Sequence, residues 1–166
     1  MTLNATIRQA EERDIPAIVA IYNQAVLNTN AVYTETPVTV ENRTKWLAER
    51  QAAGFPVFVI ALGEKVSGFG SFGPFRAWPG YKYSAEHCLY INQHSHGKGL
   101  GSQLLHRLLC SAKEKGVHTL IAGIDAENQA SLHLHKKFGF HSAGILKEAG
   151  FKKGQWLDLH FMQKIL

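Results

Sequence analysis

The stretch from Cys88 to Leu109 constrains this chain more than any other. An apolar, β-prone run, Cys88-Leu89-Tyr90-Ile91, leads into Gly97-Lys98-Gly99-Leu100-Gly101-Ser102, and a leucine-rich helical run follows to Leu109. The glycines fall at alternate positions. Glycine lacks a Cβ, so backbone N–H groups there can approach a bulky anion closely. A helix starting at the same point adds unpaired N–H donors and the positive end of its dipole. Strand, glycine turn and helix N-terminus together make a cradle for a phosphate or pyrophosphate. The plain alternative is a tight turn that needs glycine for packing.

Two nucleotide patterns fail here. A Walker A loop requires Gly, four residues, then Gly-Lys-Ser/Thr. Lys98 is followed by Gly99, and Asn92 stands where the first glycine would be. The dinucleotide pattern G-x-G-x-x-G would need glycine at 102, where the chain has Ser102, and belongs near the start of a βαβ unit.

At 166 residues the chain reads as a single domain over 1–166, large enough to bury a core. Hydrophobic residues make up 45% and charged residues 19%, an ordinary globular composition. No apolar run has the length of a membrane span, and residues 1–8 hold no signal-peptide core. Cys88 and Cys110 read as buried thiols without a CxxC partner, which argues against a disulfide framework. A cytoplasmic protein is expected. The formal net charge of +5 comes from scattered cations, with neither a basic helix nor stacked exposed aromatics, so no nucleic-acid partner is expected.

Hydrophobic periodicity gives a strand at 6–11, then a helix capped by Asp14 with Pro16 in its first turn. Residues 31–37 read as a loop and 40–53 as a second helix ending at Gly54. A hairpin follows, with strands at 56–61 and 66–72. Residues 73–83 form a long aromatic loop with one guanidinium, Arg76, among Phe75, Trp78, Tyr81 and Tyr83. Glu86 opens the strand that feeds the glycine turn. Beyond it lie a helix at 99–115, a strand at 117–124, and a short helix at 129–138. Closing strands at 140–146 and 156–162 are joined by a polar, glycine-bearing loop. The order β-α-α-β-β-β-α-β-α-β-β predicts a mixed α/β (α+β) fold with a largely antiparallel central sheet.

His96-Gly97-Lys98-Gly99-Leu100-Gly101 resembles the R/Q-x-x-G-x-G/A signature of the Gcn5-related N-acetyltransferase family, with His96 where the family has Gln or Arg. The resemblance sharpens at Glu86, at Asn128-Gln129-Ala130-Ser131, at Leu134–Phe140 and at Gly150–Asp158. Together these are similar to the phosphinothricin and methionine sulfone/sulfoximine acetyltransferases, also described as L-amino acid N-acyltransferases. It covers nearly the whole chain.

That resemblance implies direct transfer of acetyl from acetyl-CoA to the α-amino group of a small amino acid or analogue. It implies pyrophosphate contacts from Gly97, Lys98, Gly99, Leu100, Gly101 and Ser102, a pantetheine arm along Leu89, Tyr90 and Ile91, and a coenzyme A contact from Asn128. Glu86 takes the place of a general base acting through water, or is a solvated strand-end carboxylate. His135 stands where relatives carry a thiolate-protonating tyrosine; an imidazole there can serve as that acid, contact coenzyme A, or pack. Arg76 is the candidate for the acceptor's carboxylate, or a surface arginine beside a lid. Phe75 and Tyr33 are candidate walls of the acceptor site. A homodimer is implied as well. The histidines lack carboxylate or thiolate partners at ligand spacing, so no metal is expected. Two other readings stay open: a non-catalytic acyl-CoA binding or sensor module, and an acetyltransferase acting on another small amine.

Overall fold

A computed structural model describes residues 4–166; residues 1–3, part of the N-terminal reading above, lie outside the described residues. The elements run β1 (Ala5–Gln9), α1 (Ile15–Asn28), α2 (Val40–Ala52), β2 (Val57–Leu62), β3 (Lys65–Pro74), β4 (Ser84–Ile91), α3 (Leu100–Glu114), β5 (Thr119–Asp125), α4 (Gln129–Lys137), β6 (His141–Lys152) and β7 (Gln155–Ile165). They form one seven-stranded sheet in the order β1-β2-β3-β4-β5-β7-β6. Every neighbouring pair is antiparallel except β4 and β5. A parallel pair needs a crossover, and α3 supplies it.

Alternation along the strands divides the core between the two faces. On one face, Leu100, Leu104, Leu105 and Leu108 of α3 pack against Phe58, Ile60, Phe72 and Leu120. On the other, Ile15, Ile18 and Ile21 of α1 and Leu47 of α2 cover Val57, Val59 and Phe69. In β4, Leu89 and Ile91 pack on the α3 side while Tyr90 packs on the α1 side.

The site is made by a failure of pairing. β4 and β5 pair only from Ser84↔Thr119 to Glu86↔Ile121. Beyond that point β4 stays paired to β3 as far as Ile91, and β5 stays paired to β7 as far as Asp125. Each strand is held on its outer edge, so the two diverge as a fork. The backbone groups that β4 turns toward β5 after Glu86 have no strand partner there.

Three expectations need correction. Asp14 precedes α1, but its side chain makes no cap bond to that helix. It accepts two bonds from Arg8, at 2.6 and 2.8 Å, and one from the Glu11 N–H at 2.8 Å. Burial pushes its carboxyl pKa up, but Arg8 and the Glu11 N–H hold it below the usual value. The polar loop placed between the last two strands is itself strand. β6 and β7 run on to Lys152↔Gln155 and absorb the glycine-rich residues in register shifts at Ser142/Gly144 and Leu146/Gly150. Finally, neither cysteine is fully buried; Cys88 and Cys110 are half-buried and free.

The extended hairpin carries a residue whose role has no local signature in the chain. Lys152 is buried, and its Nζ donates to the carbonyls of Val26 (2.6 Å), Thr29 (2.6 Å) and Val32 (2.8 Å). A cation is thus placed at the carbonyl end of α1, where the helix dipole favours it. It also pins the segment after α1 to the far end of the sheet. Lys152→Met should destabilise the fold by about 3 kcal/mol, because three carbonyls, one of them buried, lose a charged donor. Urea denaturation of the two proteins measures this, and an unchanged midpoint would show the bonds to be dispensable.

Candidate active site

The fork opens into a cleft of about 660 Å³, within the range of small-molecule sites. Leu89, Tyr90 and Ile91 line it from β4, and Asn128, Ser131 and Leu134 from the α4 side. Gly97, Gly99, Leu100, Gly101 and Ser102 close one end. Thr29, Asn30 and Ala31, the segment held by Lys152, form another wall.

The glycines do different jobs. Gly97 and Gly99 have φ of 75° and 74°, and nothing lies within 4 Å of a Cβ built on either. Backbone conformation alone requires glycine there. Gly99 is the N-cap of α3 and makes no side-chain cap bond, so the first N–H groups of a fifteen-residue helix remain available to a ligand. Gly101 is already helical, and a Cβ on it would stand 3.5 Å from Leu134 Cδ2.

Side chains around the loop tie it down. His96 Nε2 lies 3.0 Å from the Ile91 carbonyl; a carbonyl only accepts, so the imidazole donates and fastens the loop to the end of β4. Lys98 itself does not line the cleft, while Gly97 and Gly99 on either side of it do. Its Nζ donates to the His94 carbonyl at 3.2 Å. Asn128 fills both roles that its sequence context allows, since it lines the cleft and its Oδ1 accepts from the Ser131 N–H at 3.1 Å, capping α4.

Glu86 is the last paired residue before the fork, half-buried on the sheet face that looks toward α1 and α2. Gly123 of β5 makes room for it: a Cβ there would stand 3.1 Å from Glu86 Oε1. Burial raises the carboxyl's pKa above its ordinary value, and the charge of Arg76 opposes the rise. Arg76 is exposed in the β3–β4 loop with its guanidinium 5.2 Å from the Phe75 ring centroid. Phe75 meets Phe161 of β7 edge-on at 6.4 Å. Phe75 and Arg76 therefore belong to the Glu86 side of the fork and not to the cleft lining.

Comparison with known proteins agrees with this geometry. Residues 7–161 match the acetyltransferase (GNAT) domain model. The chain belongs to the GNAT acetyltransferase family. It is an N-acetyltransferase. It is 44% identical over 163 residues to an L-methionine sulfoximine/L-methionine sulfone acetyltransferase of Pseudomonas aeruginosa, covering 97% of this chain and 94% of that protein. The structure of a putative acetyltransferase, yncA, from Salmonella typhimurium with its cofactor acetyl-CoA superposes with a TM-score of 0.96 at 43% identity, over 98% of this chain and 94% of that one. A phosphinothricin acetyltransferase from Sinorhizobium meliloti in complex with acetyl-CoA gives 0.95 at 34% identity, over 100% and 89%.

In this GNAT domain two expected site residues do not line the cleft. His135 is 2% exposed and does not line the cleft. Its Nδ1 is 2.7 Å from the Ser131 carbonyl and must carry the hydrogen. Burial lowers its pKa, against the pull of that bond, so the ring is neutral and Nε2 is an acceptor. His87 donates to it from Nε2 at 3.0 Å, and the rings stack at 5.0 Å. Both nitrogens of His135 are committed, which leaves it no proton for a thiolate in the cleft. Tyr33, expected as a wall of the acceptor site, does not line this cleft either. Its hydroxyl sits 3.0 Å from Asp125 Oδ1 and 2.9 Å from the Asp158 carbonyl oxygen, and its ring fills the space over Gly150. It anchors the segment after α1 to β5 and the closing hairpin. Among the described residues no group of three His, Cys, Asp or Glu side chains is gathered as a metal site.

The histidine pair makes the fold acid-sensitive. Burial, with a smaller push from His135, lowers His87 from 6.5 to about 3. The unfolded chain binds that proton first, so the stability the pair contributes is full above about pH 6.5 and falls as the pH drops toward 3. His87 alone should take away about 1.4 kcal/mol per pH unit over that window. Urea titrations at pH 7, 6 and 5 read the slope, and His87→Phe should flatten it; an equal slope in the variant would refute the assignment.

Proposed function

We propose that the chain transfers the acetyl group of acetyl-CoA to the α-amino group of a small amino acid or analogue. Methionine sulfone, methionine sulfoximine and phosphinothricin are the acceptors to which the similar proteins point. The observation that carries this reading is the raised pKa of Glu86 at the tip of the fork, with an anion cradle beyond it and a guanidinium beside it.

Acetyl-CoA supplies an activated acetyl carbonyl on a thioester. The free N–H groups at Gly97–Ser102 and the start of α3 would hold its pyrophosphate. The unpaired edge of β4 at Leu89–Ile91 would hold the pantetheine amides, and an N–H there would receive the carbonyl oxygen as it gains charge. Asn128 would add a polar contact from α4.

A protonated α-amine cannot attack. Glu86, with its proton affinity raised by burial, takes that proton through a water molecule. The C–N bond then forms as the C–S bond breaks, and the second proton, shed by the nitrogen as it becomes an amide, passes through water to the departing thiolate, since both nitrogens of His135 are engaged. Arg76 and Phe75 face the acceptor's carboxylate and flank. A sensor module would have no use for a half-buried carboxylate at the fork, and this favours the enzyme.

We also propose a homodimer built on the closing hairpin. β6 is the sheet's outer strand, and Ile145, Leu146, Phe151 and Trp156 are about half exposed along it or at its turn. Such a contiguous apolar edge favours a second copy as its cover.

Glu86→Gln should reduce kcat by roughly 10²–10⁴-fold while acetyl-CoA binding stays unchanged. Thiol release and calorimetric titration measure the two separately. Full turnover in the variant would remove Glu86 from the mechanism. Tight acetyl-CoA binding with no acceptor turnover in the parent protein would favour the sensor.

A further inference from the structure

Arg50 is the polar side chain that neither the fold nor the proposed mechanism uses. It lies in the last turn of α2. Among the described residues its Nη1 is buried without a hydrogen-bond partner, and none of the ion pairs includes it. A guanidinium N–H shut away from water without an acceptor is a costly arrangement, and it asks for an explanation outside the resting chain.

Its position supplies one. The guanidinium occupies the space over Gly73, where any Cβ would collide with Nη1. Gly73 is the residue directly across from Glu86 in the β3–β4 ladder. Residues so paired share a face with Cβ atoms about 5 Å apart. Arg50 therefore stands where the cross-strand neighbour of Glu86 would have its side chain. Trp46, one turn back, lies 5.9 Å away under the same guanidinium. The Arg50 charge reaches Cys88, two residues along β4 on the Glu86 face. Glu86 turns away from it, toward Gly123, so the carboxylate nearest in the ladder does not neutralise it.

An α-amino acid carries its carboxylate one carbon from the amine. With the amine at Glu86, the carboxylate falls beside that residue, between the α2 cation held over Gly73 and Arg76 on the exposed loop. We propose that Arg50, seated by Gly73, binds the α-carboxylate of the acceptor and shares it with Arg76. This rests on the acceptor reading above. It makes Arg50 and Gly73 determinants of selectivity for amino acids over simple amines, and Gly73 acts only through Arg50.

The test compares L-methionine sulfone with its α-carboxamide, in which the charge is gone and the amine remains. Arg50→Gln and Arg50→Lys should raise KM for the sulfone by tenfold or more and leave KM for the carboxamide and for acetyl-CoA within twofold. Gly73→Ala keeps the arginine but evicts its guanidinium, and should produce the same split. Equal losses on both acceptors, or no change in KM, would overturn the assignment. A parent protein that turns over neither acceptor while binding acetyl-CoA would overturn the acceptor reading, and the Arg50 assignment with it.

Discussion

The three-residue limit on β4–β5 pairing is the constraint on which the rest depends. A sheet normally satisfies its backbone donors and acceptors internally. Here each strand keeps its outer neighbour and gives up the inner one after Glu86 and Ile121. The gap leaves backbone groups of β4 without a strand partner on that side. It also exposes the two faces of one strand to each other's chemistry, since alternation sends Leu89 and Ile91 to one side and Glu86 and Tyr90 to the other. A carboxylate and an anion cradle thereby meet across the thickness of a single sheet.

What keeps the fork open is also physical and local. His135 enters from α4, and His87 is the first residue of β4 beyond the paired segment. Their hydrogen bond and stacked rings sit with Phe140 at the base of the opening. An imidazole donating to an imidazole satisfies the pair with a single shared hydrogen and leaves His87 Nδ1 without a partner. On the opposite side, Lys152 and Tyr33 reach from the hairpin and the interhelical segment to hold the wall at residues 29–32. That wall of the cleft is thus framed by contacts that span between 92 and 125 residues of sequence.

Much of this was legible before any coordinates. The apolar spacing of Leu100, Leu104, Leu105 and Leu108 gave α3 and its buried face, because a helix repeats every 3.6 residues whatever surrounds it. Gly97 and Gly99 marked the turn because few other residues adopt a positive φ at low cost. The readings that failed involved side chains whose partners lie far away in sequence. Asp14 has the composition of a cap, but Arg8 and the Glu11 N–H compete for it and win. The stretch at 147–155 has the glycines of a loop, yet β6 continues through it to Lys152, paired again with β7 from Gly150, and only Lys153-Gly154 turns. His135 stands at a motif position open to three readings, acid, coenzyme A contact or packing, and its burial against His87 and Ser131 matches the third. Lys152 and Arg50 carried no local signal at all.

By itself the sequence determined the elements, their order, the glycine loop and the presence of a carboxylate just ahead of it, since these follow from backbone sterics and periodicity within a few residues. Only the tertiary structure decided where β4 and β5 part, which imidazoles are spent on each other, and which cations are left without a partner. Those outcomes depend on desolvation and on hydrogen bonds between distant residues. Their energies exist only once the sheet has brought Glu86, Gly73 and Gly123 side by side.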